Sequence, residues 1–221
     1  MYKRLAALGG AAAATAMLAA GPAVAQGAAV AAGAKCVGGA STIHVINGKR
    51  FRTFPVSASG FPAGAAIQFQ ANGITFADGT ADATGALSTI GDPPFFTGRH
   101  KKVNLTATDG TTTAGPVKVF VTNIDVTLHA SKPTQIARFR AFGFVPGKRI
   151  YLFIRHNGHV LGRFSLGKAR GACGDRDKRM RAMPLRHYTT GVYQYWYSQR
   201  RHFSKATALA EHSYRITRHV L

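Results

Sequence analysis

The sequence predicts an all-β protein of two tandem antiparallel β-sandwiches that follow a cleaved signal peptide. Three observations lead to this prediction. A residue pattern from the first half of the chain recurs in the second half, short segments alternate apolar and polar residues, and no helical periodicity is evident after Ala25. Hydrophobic residues make up 46 % of the 221 residues, which is enough to form a buried core.

Residues 1–25 have the three parts of a secretory signal. Lys3 and Arg4 precede a short apolar stretch, and Ala23-Val24-Ala25 provides a small-residue cleavage site. The apolar stretch is too short and too rich in Ala and Gly for a membrane span. We therefore expect a secreted or cell-envelope-associated protein without a transmembrane segment. Removal of Lys3 and Arg4 lowers the net charge from +21 to +19.

Two copies of one pattern occupy the rest of the chain. Ala58–Ile67 and Ala141–Ile150 share Ala, Gly, Phe, Gly and Ile at a constant offset, which is the one that separates Gly60 from Gly143. The same offset aligns Ile43–Val45 with Val126–Leu128. An internal repeat of this kind predicts two copies of the same structural unit.

The repeat also predicts the domain boundaries. A flexible N-terminal segment is expected over 26–40, a first immunoglobulin-sized domain over 41–123 and a second over 124–221. The last strand of the first copy leads almost directly into the second copy near Asn123. So short a linker predicts a semi-rigid pair of domains.

Each copy has the pattern of short β-strands with one buried face. Phe54, Val56 and Ala58 alternate with other residues in the first copy, and Ala137, Phe139 and Ala141 alternate with Arg138 and Arg140 in the second. Six or seven such strands in about 100 residues are typical of a sandwich. Turns are predicted at Asn72-Gly73, Asp78-Gly79 and Asn157-Gly158. Further strands are predicted at 66–71, 87–90, 103–108, 117–122, 149–156, 159–166, 179–183, 191–198 and 213–218.

The turn motifs of the first copy resemble those of a known family. Gly60-Phe61-Pro62-Ala63-Gly64, followed by Asp82-Ala83-Thr84-Gly85, is similar to the immunoglobulin-like domains of secreted actinobacterial proteins, including the neocarzinostatin family. The resemblance implies an immunoglobulin-like sandwich and export. It implies a small-molecule cleft only as an alternative function, because neither copy has a cysteine pair for the two internal disulfides of that family. The second copy is similar to tandem secreted proteins of the same phylum, which imply no activity.

The positive charge is concentrated in the second copy. Residues 129–221 contain 19 Lys and Arg and three acids, against eight and five in residues 26–128. Arg outnumbers Lys there by 14 to 5, which favours bidentate contacts to phosphate, sulfate or carboxylate. The predicted anion-binding residues lie in or beside loops and are Lys168, Arg170, Arg176, Lys178, Arg179, Arg181, Arg200, Arg201 and Lys205.

We therefore predict a non-catalytic exported module that binds an anionic polymer, either an envelope polysaccharide or a phosphate polymer. Extracellular nucleic acid is a further partner of the same charge. Besides the small-molecule cleft, two alternatives stay open. The charge could serve solubility alone, or the protein could be a purely structural or adhesive envelope module.

One aromatic cluster admits two interpretations. Tyr193, Tyr195 and Tyr197 share one face of a predicted strand, and Trp196 lies on the other. If the tyrosines face outward, they can contact sugars or bases. If they face inward, they belong to the core.

No catalytic, cofactor or metal motif is found. The sequence lacks a Gly-x-Ser-x-Gly elbow, a His-Glu-x-x-His motif and a phosphate-binding glycine loop. His156 and His159 flank a predicted turn, but no carboxylate or thiolate stands at ligand spacing. We expect no enzyme activity, no cofactor and no metal.

The two cysteines, Cys36 and Cys173, occupy non-equivalent positions of the repeat. In an oxidising exterior an even number of cysteines favours pairing, which would tie the N-terminal segment to a loop of the second copy. Free or intermolecular thiols are the alternative, because pairing requires Cα atoms within about 7 Å.

Overall fold

A computed structural model describes residues 27–46, 49–92 and 99–217, so the predicted signal peptide lies outside the described residues. Within them the regular structure is β-strand, apart from 3₁₀ turns at Ala40–Thr42 and Lys205–Thr207. No helix in these ranges is long and apolar enough to cross a membrane. The strands are β1 (Ala29–Ala32), β2 (Cys36–Val37), β3 (Ile43–Ile46), β4 (Lys49–Arg52), β5 (Phe54–Ser59), β6 (Ala66–Ala71), β7 (Ile74–Thr80), β8 (Leu87–Gly91), β9 (His100–Thr108), β10 (Thr113–Thr122), β11 (Asp125–Leu128), β12 (Ile136–Phe142), β13 (Arg149–His156), β14 (His159–Lys168), β15 (Arg176–Arg181), β16 (Gly191–Ser198) and β17 (Ala210–Ile216).

The strands form two sandwiches with the same topology. In the second sandwich the sheet β11-β12-β15 packs on the sheet β14-β13-β16-β17. In the first, β1-β5-β8 packs on β7-β6-β9-β10, and β2 is added parallel to β10. Seven antiparallel strands in two sheets are the immunoglobulin-like arrangement, so the predicted all-β tandem fold is confirmed.

Each sandwich has its own core, formed by the inward residues of alternating strands. Phe54, Ile67 and Phe69 are fully buried in the first sandwich, and Phe139 and Leu152 are buried in the same way in the second. Burial of aromatic and branched side chains between the two sheets supplies the main stabilising term of such a fold. The period of two therefore identified the inward positions correctly.

Matching hairpins join equivalent strands in the two sandwiches. Asn72-Gly73 joins β6 to β7, and Asn157-Gly158 joins β13 to β14. All four residues have positive φ, between 48° and 83°, as a type I′ turn requires. Asp78-Gly79 does not form the turn that was predicted, since both residues pair with Gln68 and Ile67 inside β7.

The repeat aligns differently at its first strand than the sequence suggests. Ala29 of β1 pairs with Ser59, and Asp125 of β11 pairs with Phe142, which is the repeat equivalent of Ser59. The counterpart of β11 is therefore β1, and the predicted alignment of Ile43–Val45 with Val126–Leu128 is wrong. The apolar pattern of Ile43–Val45 is similar, but β3 pairs only with β4 in a separate hairpin of the described chain.

The prediction of a flexible segment over 26–40 is also wrong for its described part. β1 pairs with β5 along its whole length, and β2 pairs with Phe120 and Val121 of β10. Val30 and Val37 are buried in the first core, which fixes both strands. Alanine and glycine dominate this segment, so its strand pattern is weak in the sequence.

A disulfide and a hydrogen bond join the two sandwiches. Cys36 and Cys173 form a disulfide whose Cα atoms are 5.2 Å apart. Beside it the Ala40 backbone N–H donates to the Gly143 carbonyl at 2.7 Å. Strand β10 ends at Thr122 and β11 begins at Asp125, so the connection is short. Together these features tie the two units to each other near their junction.

Candidate functional site

Four arginines project from the outer surface of the sheet β11-β12-β15, and we call them the arginine face. The inward residues of β12 are Ala137, Phe139 and Ala141, all buried, so the residues between them point to solvent. Cross-strand pairing places β15 residues beside these outward positions. The members of the arginine face are Arg138 and Arg140 on β12 and Arg179 and Arg181 on β15, and each is exposed.

Strand geometry spaces these cations regularly. Arg138 lies directly opposite Arg179, and Arg181 lies opposite the exposed Ile136. Residues two apart on a strand are about 6.6 Å apart, and neighbouring strands are about 4.8 Å apart. The backbone positions of the four arginines are therefore regularly spaced along two neighbouring strands.

Few acids offset this charge. Asp177 lies opposite Arg140 and accepts a hydrogen bond from the Arg138 guanidinium. Asp125, at the exposed start of β11, is the other carboxylate near this sheet surface in the described part of the chain. Four arginines against these two acids leave a net positive surface.

Most of the predicted residues in the run 168–181 do not join the arginine face. Lys168 and Arg170 lie at the end of β14 and in the following loop, and Lys178 lies on the other side of β15. Arg176 is used structurally, because its Nε donates to the Leu166 carbonyl at 2.7 Å. From this run the fold places only Arg179 and Arg181 in the arginine face.

The second predicted group lies elsewhere. Arg200, Arg201 and Lys205 belong to the connection between β16 and β17, beside the other sheet of the second sandwich. All three are exposed. The predicted anion-binding set is thus divided among separate places and does not form one patch.

The loop near the sandwich junction is bound internally. Arg99 Nε donates to Asp175 Oδ2 at 2.9 Å, and His100 Nδ1 lies 3.3 Å from the same oxygen. Arg170 forms a backbone bridge with Asp175. Asp175 therefore neutralises part of the positive charge of this loop.

The three predicted contact tyrosines are in the core. Tyr193, Tyr195 and Tyr197 are buried, and the Tyr195 hydroxyl donates to the Ala182 carbonyl at 2.7 Å. Burial raises the pKa of Tyr195 and of Tyr197 well above the ordinary value. Of the two interpretations, the core one is correct and contact with sugars or bases is wrong, because this face of β16 packs against the other sheet. Trp196 is the aromatic residue on the outer face of this strand.

Sequence reasoning missed half of the arginine face. Arg138 and Arg140 were recognised as the wet positions of a predicted strand but were not counted as binding residues. The available signal was two arginines at i and i+2, which alternation places on one outward face. Their neighbours on β15 could not be found this way, because cross-strand register is not visible in the sequence.

Comparisons with known proteins are distant. No family model and no curated protein matches the chain. The chain is similar to the human OSCAR ligand-binding domain, with 8 % identity, a TM-score of 0.31, and 86 % of this chain and 98 % of that chain covered. It is similar to a C-terminal 282-residue fragment of intimin, solved in complex with the intimin-binding domain of the translocated intimin receptor, with 9 % identity, a TM-score of 0.31 and coverages of 84 % and 62 %. The fibronectin(III)-like modules of CbhA from Clostridium thermocellum match with 16 % identity, a TM-score of 0.24 and coverages of 83 % and 90 %. At these identities and TM-scores the similarities carry no argument about function.

Proposed function

We propose that this protein is an exported, non-catalytic module whose second sandwich binds an anionic cell-envelope or extracellular polymer through the arginine face. One observation carries the proposal. The counterpart positions of Arg138 and Arg140 in the first sandwich are Pro55 and Ser57, so the fold itself does not require cations there.

The geometry of the arginine face suits a polymer. Several cations in a row can engage successive anionic groups, and each contact releases counterions from the polymer. Guanidinium groups bind phosphate, sulfate and carboxylate in a bidentate manner. A sheet holds its side chains on a rigid backbone, which reduces the entropy lost on binding.

The disulfide supports an exported location. Structural disulfides form and persist in oxidising compartments. Cys36 and Cys173 are both buried, so the bond is part of the folded structure. This agrees with the secretory signal predicted to end at Ala25.

The test is the salt dependence of polymer binding by the full mature chain. Long-chain polyphosphate, a polyuronate and neutral dextran are the probes, titrated at about 50 mM and 200 mM salt. We expect no binding to dextran. For the polyanions we expect affinity to fall roughly 20-fold over this range, as for about three single-strand phosphate contacts. Equal affinity at both salt concentrations, or equal binding of dextran, contradicts the proposal.

A matched pair of variants locates the site. Arg138→Gln with Arg140→Gln removes two charges from the arginine face. Lys101→Gln with Lys102→Gln removes two exposed charges from the first sandwich. We expect the arginine variant to lower affinity at least tenfold and the lysine variant to lower it about twofold, since only direct partners of the anionic groups contribute strongly. Equal losses would assign the effect to overall charge.

A further inference from the structure

A second group of cations lies on the opposite sheet of the second sandwich, under the loop between β16 and β17. The outer face of this sheet carries Phe153 and Arg155 of β13 and Trp196 of β16. Phe203 of the loop packs on this face, with ring centroids 5.6 Å from Phe153 and 5.8 Å from Trp196. The loop therefore covers an aromatic surface outside the core.

The aromatic rings hold cations in place. The Arg155 guanidinium lies 4.9 Å from the Phe203 centroid and 5.8 Å from the Trp196 centroid. Lys205 Nζ lies 5.9 Å from the Trp196 centroid. Arg163, the cross-strand partner of Phe153, donates to the Arg201 carbonyl at 3.0 Å. Cation–π contacts of this kind fix the position of a charge but leave it unneutralised.

Arg155 is unusual because it is buried without a carboxylate partner. The residue is only 8 % exposed. Nη1 donates to Gln194 Oε1 at 3.3 Å, and Nη2 donates to the Gly158 carbonyl at 2.6 Å. In the described part of the chain neither Arg155 nor Lys205 forms an ion pair. Buried charges are normally paired, so this arrangement is costly for the protein alone.

Two hydrogen-bond donors in the group also lack acceptors. The Arg155 Nε–H and the Trp196 indole N–H are buried and reach no acceptor among the described residues. The nearest acid by sheet register is Glu211, the exposed cross-strand neighbour of Trp196, and it forms no ion pair in the described ranges. Unsatisfied donors together with uncompensated cations favour an acceptor that carries negative charge.

The first sandwich has no counterpart of this arrangement within its described residues. Gln70 and Thr106 occupy the positions of Phe153 and Trp196. The β9–β10 connection spans residues 109–112, whereas the β16–β17 connection spans residues 199–209. The longer loop and its Phe203 ring are thus additions to the fold that the two sandwiches share.

We propose that Arg155, Lys205 and the Trp196 indole N–H bind a single oxyanion group, a phosphate or sulfate, at the edge of the β16–β17 loop. The Arg155 guanidinium and Lys205 Nζ already lie over the Trp196 ring, and Phe203 packs edge-on against it, so a compact anion is favoured over a stacked base or sugar ring. This site goes beyond the proposed function, which uses the arginine face on the other sheet. The two can therefore succeed or fail separately.

Trp196 makes the site directly measurable, because it is the single tryptophan of the chain. The full mature protein is titrated with sodium phosphate and sodium sulfate, with sodium chloride at matched ionic strength as the reference. We expect a saturable change in Trp196 fluorescence with phosphate or sulfate, and a matching heat in calorimetry. The anion that binds with the higher affinity shows whether the site prefers a phosphate or a sulfate group. A response that is absent, or identical in chloride, in both measurements overturns the proposal.

Variants separate this site from general charge. Lys205→Ala is a surface change that should fold normally and should weaken anion binding about fivefold, the loss of one charge-assisted contact. Arg155→Gln should abolish the saturable change in Trp196 fluorescence. Arg215→Gln removes an exposed charge elsewhere on β17 and should leave the titration unchanged, as should Arg138→Gln with Arg140→Gln. The proposal is overturned if Lys205→Ala titrates like the wild type, or if the Arg138 and Arg140 changes remove the response.

Discussion

The two sandwiches share their strand order and the positions that face inward but differ on both outer surfaces. On the three-stranded sheet, the first sandwich has Pro55 and Ser57 where the second has Arg138 and Arg140. On the larger sheet the first has Gln70, and the second has the buried Phe153 under a longer loop. Since both sandwiches have the same topology, the fold does not require cations at the positions of Arg138 and Arg140.

The loops that follow β7 and β14 show the same divergence. In the first sandwich, the Asp82 carboxylate accepts hydrogen bonds from the Thr84 and Ala86 backbone N–H groups and closes the loop. A hydrogen bond from the Thr84 hydroxyl, together with these backbone bonds, lowers the pKa of Asp82. In the second sandwich, Arg170 stands at the corresponding position and Cys173 attaches the loop to Cys36. The loop of the first sandwich is thus closed by hydrogen bonds to Asp82, whereas the loop of the second is held by a disulfide.

The largest effect is expected from removing that link. Cys36→Ser with Cys173→Ser opens a covalent loop with a sequence separation of 137 residues. Loop-closure entropy predicts a loss of about 5 kcal/mol in the free energy of unfolding. Urea denaturation of the variant and the wild type, both unreduced, measures this loss. A difference below about 1 kcal/mol would show that the disulfide does not constrain the unfolded chain as assumed.

Two equivalent glycines test whether the copies share their turn geometry. Gly85 and Gly174 have φ of +75° and +66°, and a Cβ on either would collide with a backbone carbonyl, of Phe61 and of Phe144 respectively. We expect Gly85→Ala and Gly174→Ala each to cost about 2–3 kcal/mol. Gly110→Ala, with φ +92° but no atom within 4 Å, is the control and should cost about 1 kcal/mol. Thermal unfolding of the three variants measures these losses. If Gly110→Ala lost as much stability as Gly85→Ala and Gly174→Ala, the steric explanation would be contradicted.

A smaller loss of stability is expected from changing Phe203, which covers the outer face of the larger sheet in the second sandwich. Phe203→Ala removes the ring that packs on Phe153 and Arg155. Because Phe203 is only partly buried, we expect a loss of about 1–2 kcal/mol in chemical denaturation. His202→Ala, an exposed neighbour in the same loop, should change stability by less than about 0.5 kcal/mol. Equal effects would mean that the ring does not hold the loop to the sheet.

The smallest expected effect is a pH dependence confined to the second sandwich. His212 stacks on Tyr195 and Tyr197, and burial lowers its pKa below 6.5, with a smaller opposing effect of Asp125. Since the unfolded chain binds this proton more readily, the free energy of unfolding should fall as the pH drops below about 6.5. His212→Gln should flatten this part of the stability curve in denaturation from pH 8 to about 5. An unchanged curve would show that His212 is protonated equally in both states.

Much of the fold could be predicted because inward residues have a regular period. The predicted strands 149–156 and 191–198 coincide with β13 and β16. β1 and β2 could not be predicted, since Ala and Gly give no alternation, and β3 had a similar apolar pattern without being the equivalent strand. Side-chain period determines a face, but it does not determine which strands pair.

The binding residues were harder to predict than the strands. Charge counting identified the second half of the chain, but the dense run 168–181 is divided among two sheets and a loop by the fold. The sequence did not show whether the tyrosine face of the Tyr193–Tyr197 strand points to the core or to solvent, because aromatic residues suit both a core and a contact surface. Arg155 could not be recognised as buried, since its burial depends on Phe203 in a loop that is distant in sequence.

The central claim is that binding depends on where the charge lies. The most direct test compares two variants of equal net charge in polyphosphate binding. One carries Gln at Arg138, Arg140, Arg179 and Arg181, and the other carries Gln at the exposed Lys35, Lys101, Lys102 and Lys118 of the first sandwich. We predict an affinity loss of about 100-fold or more for the arginine variant and less than about fivefold for the lysine variant. Similar losses in the two variants would contradict the claim.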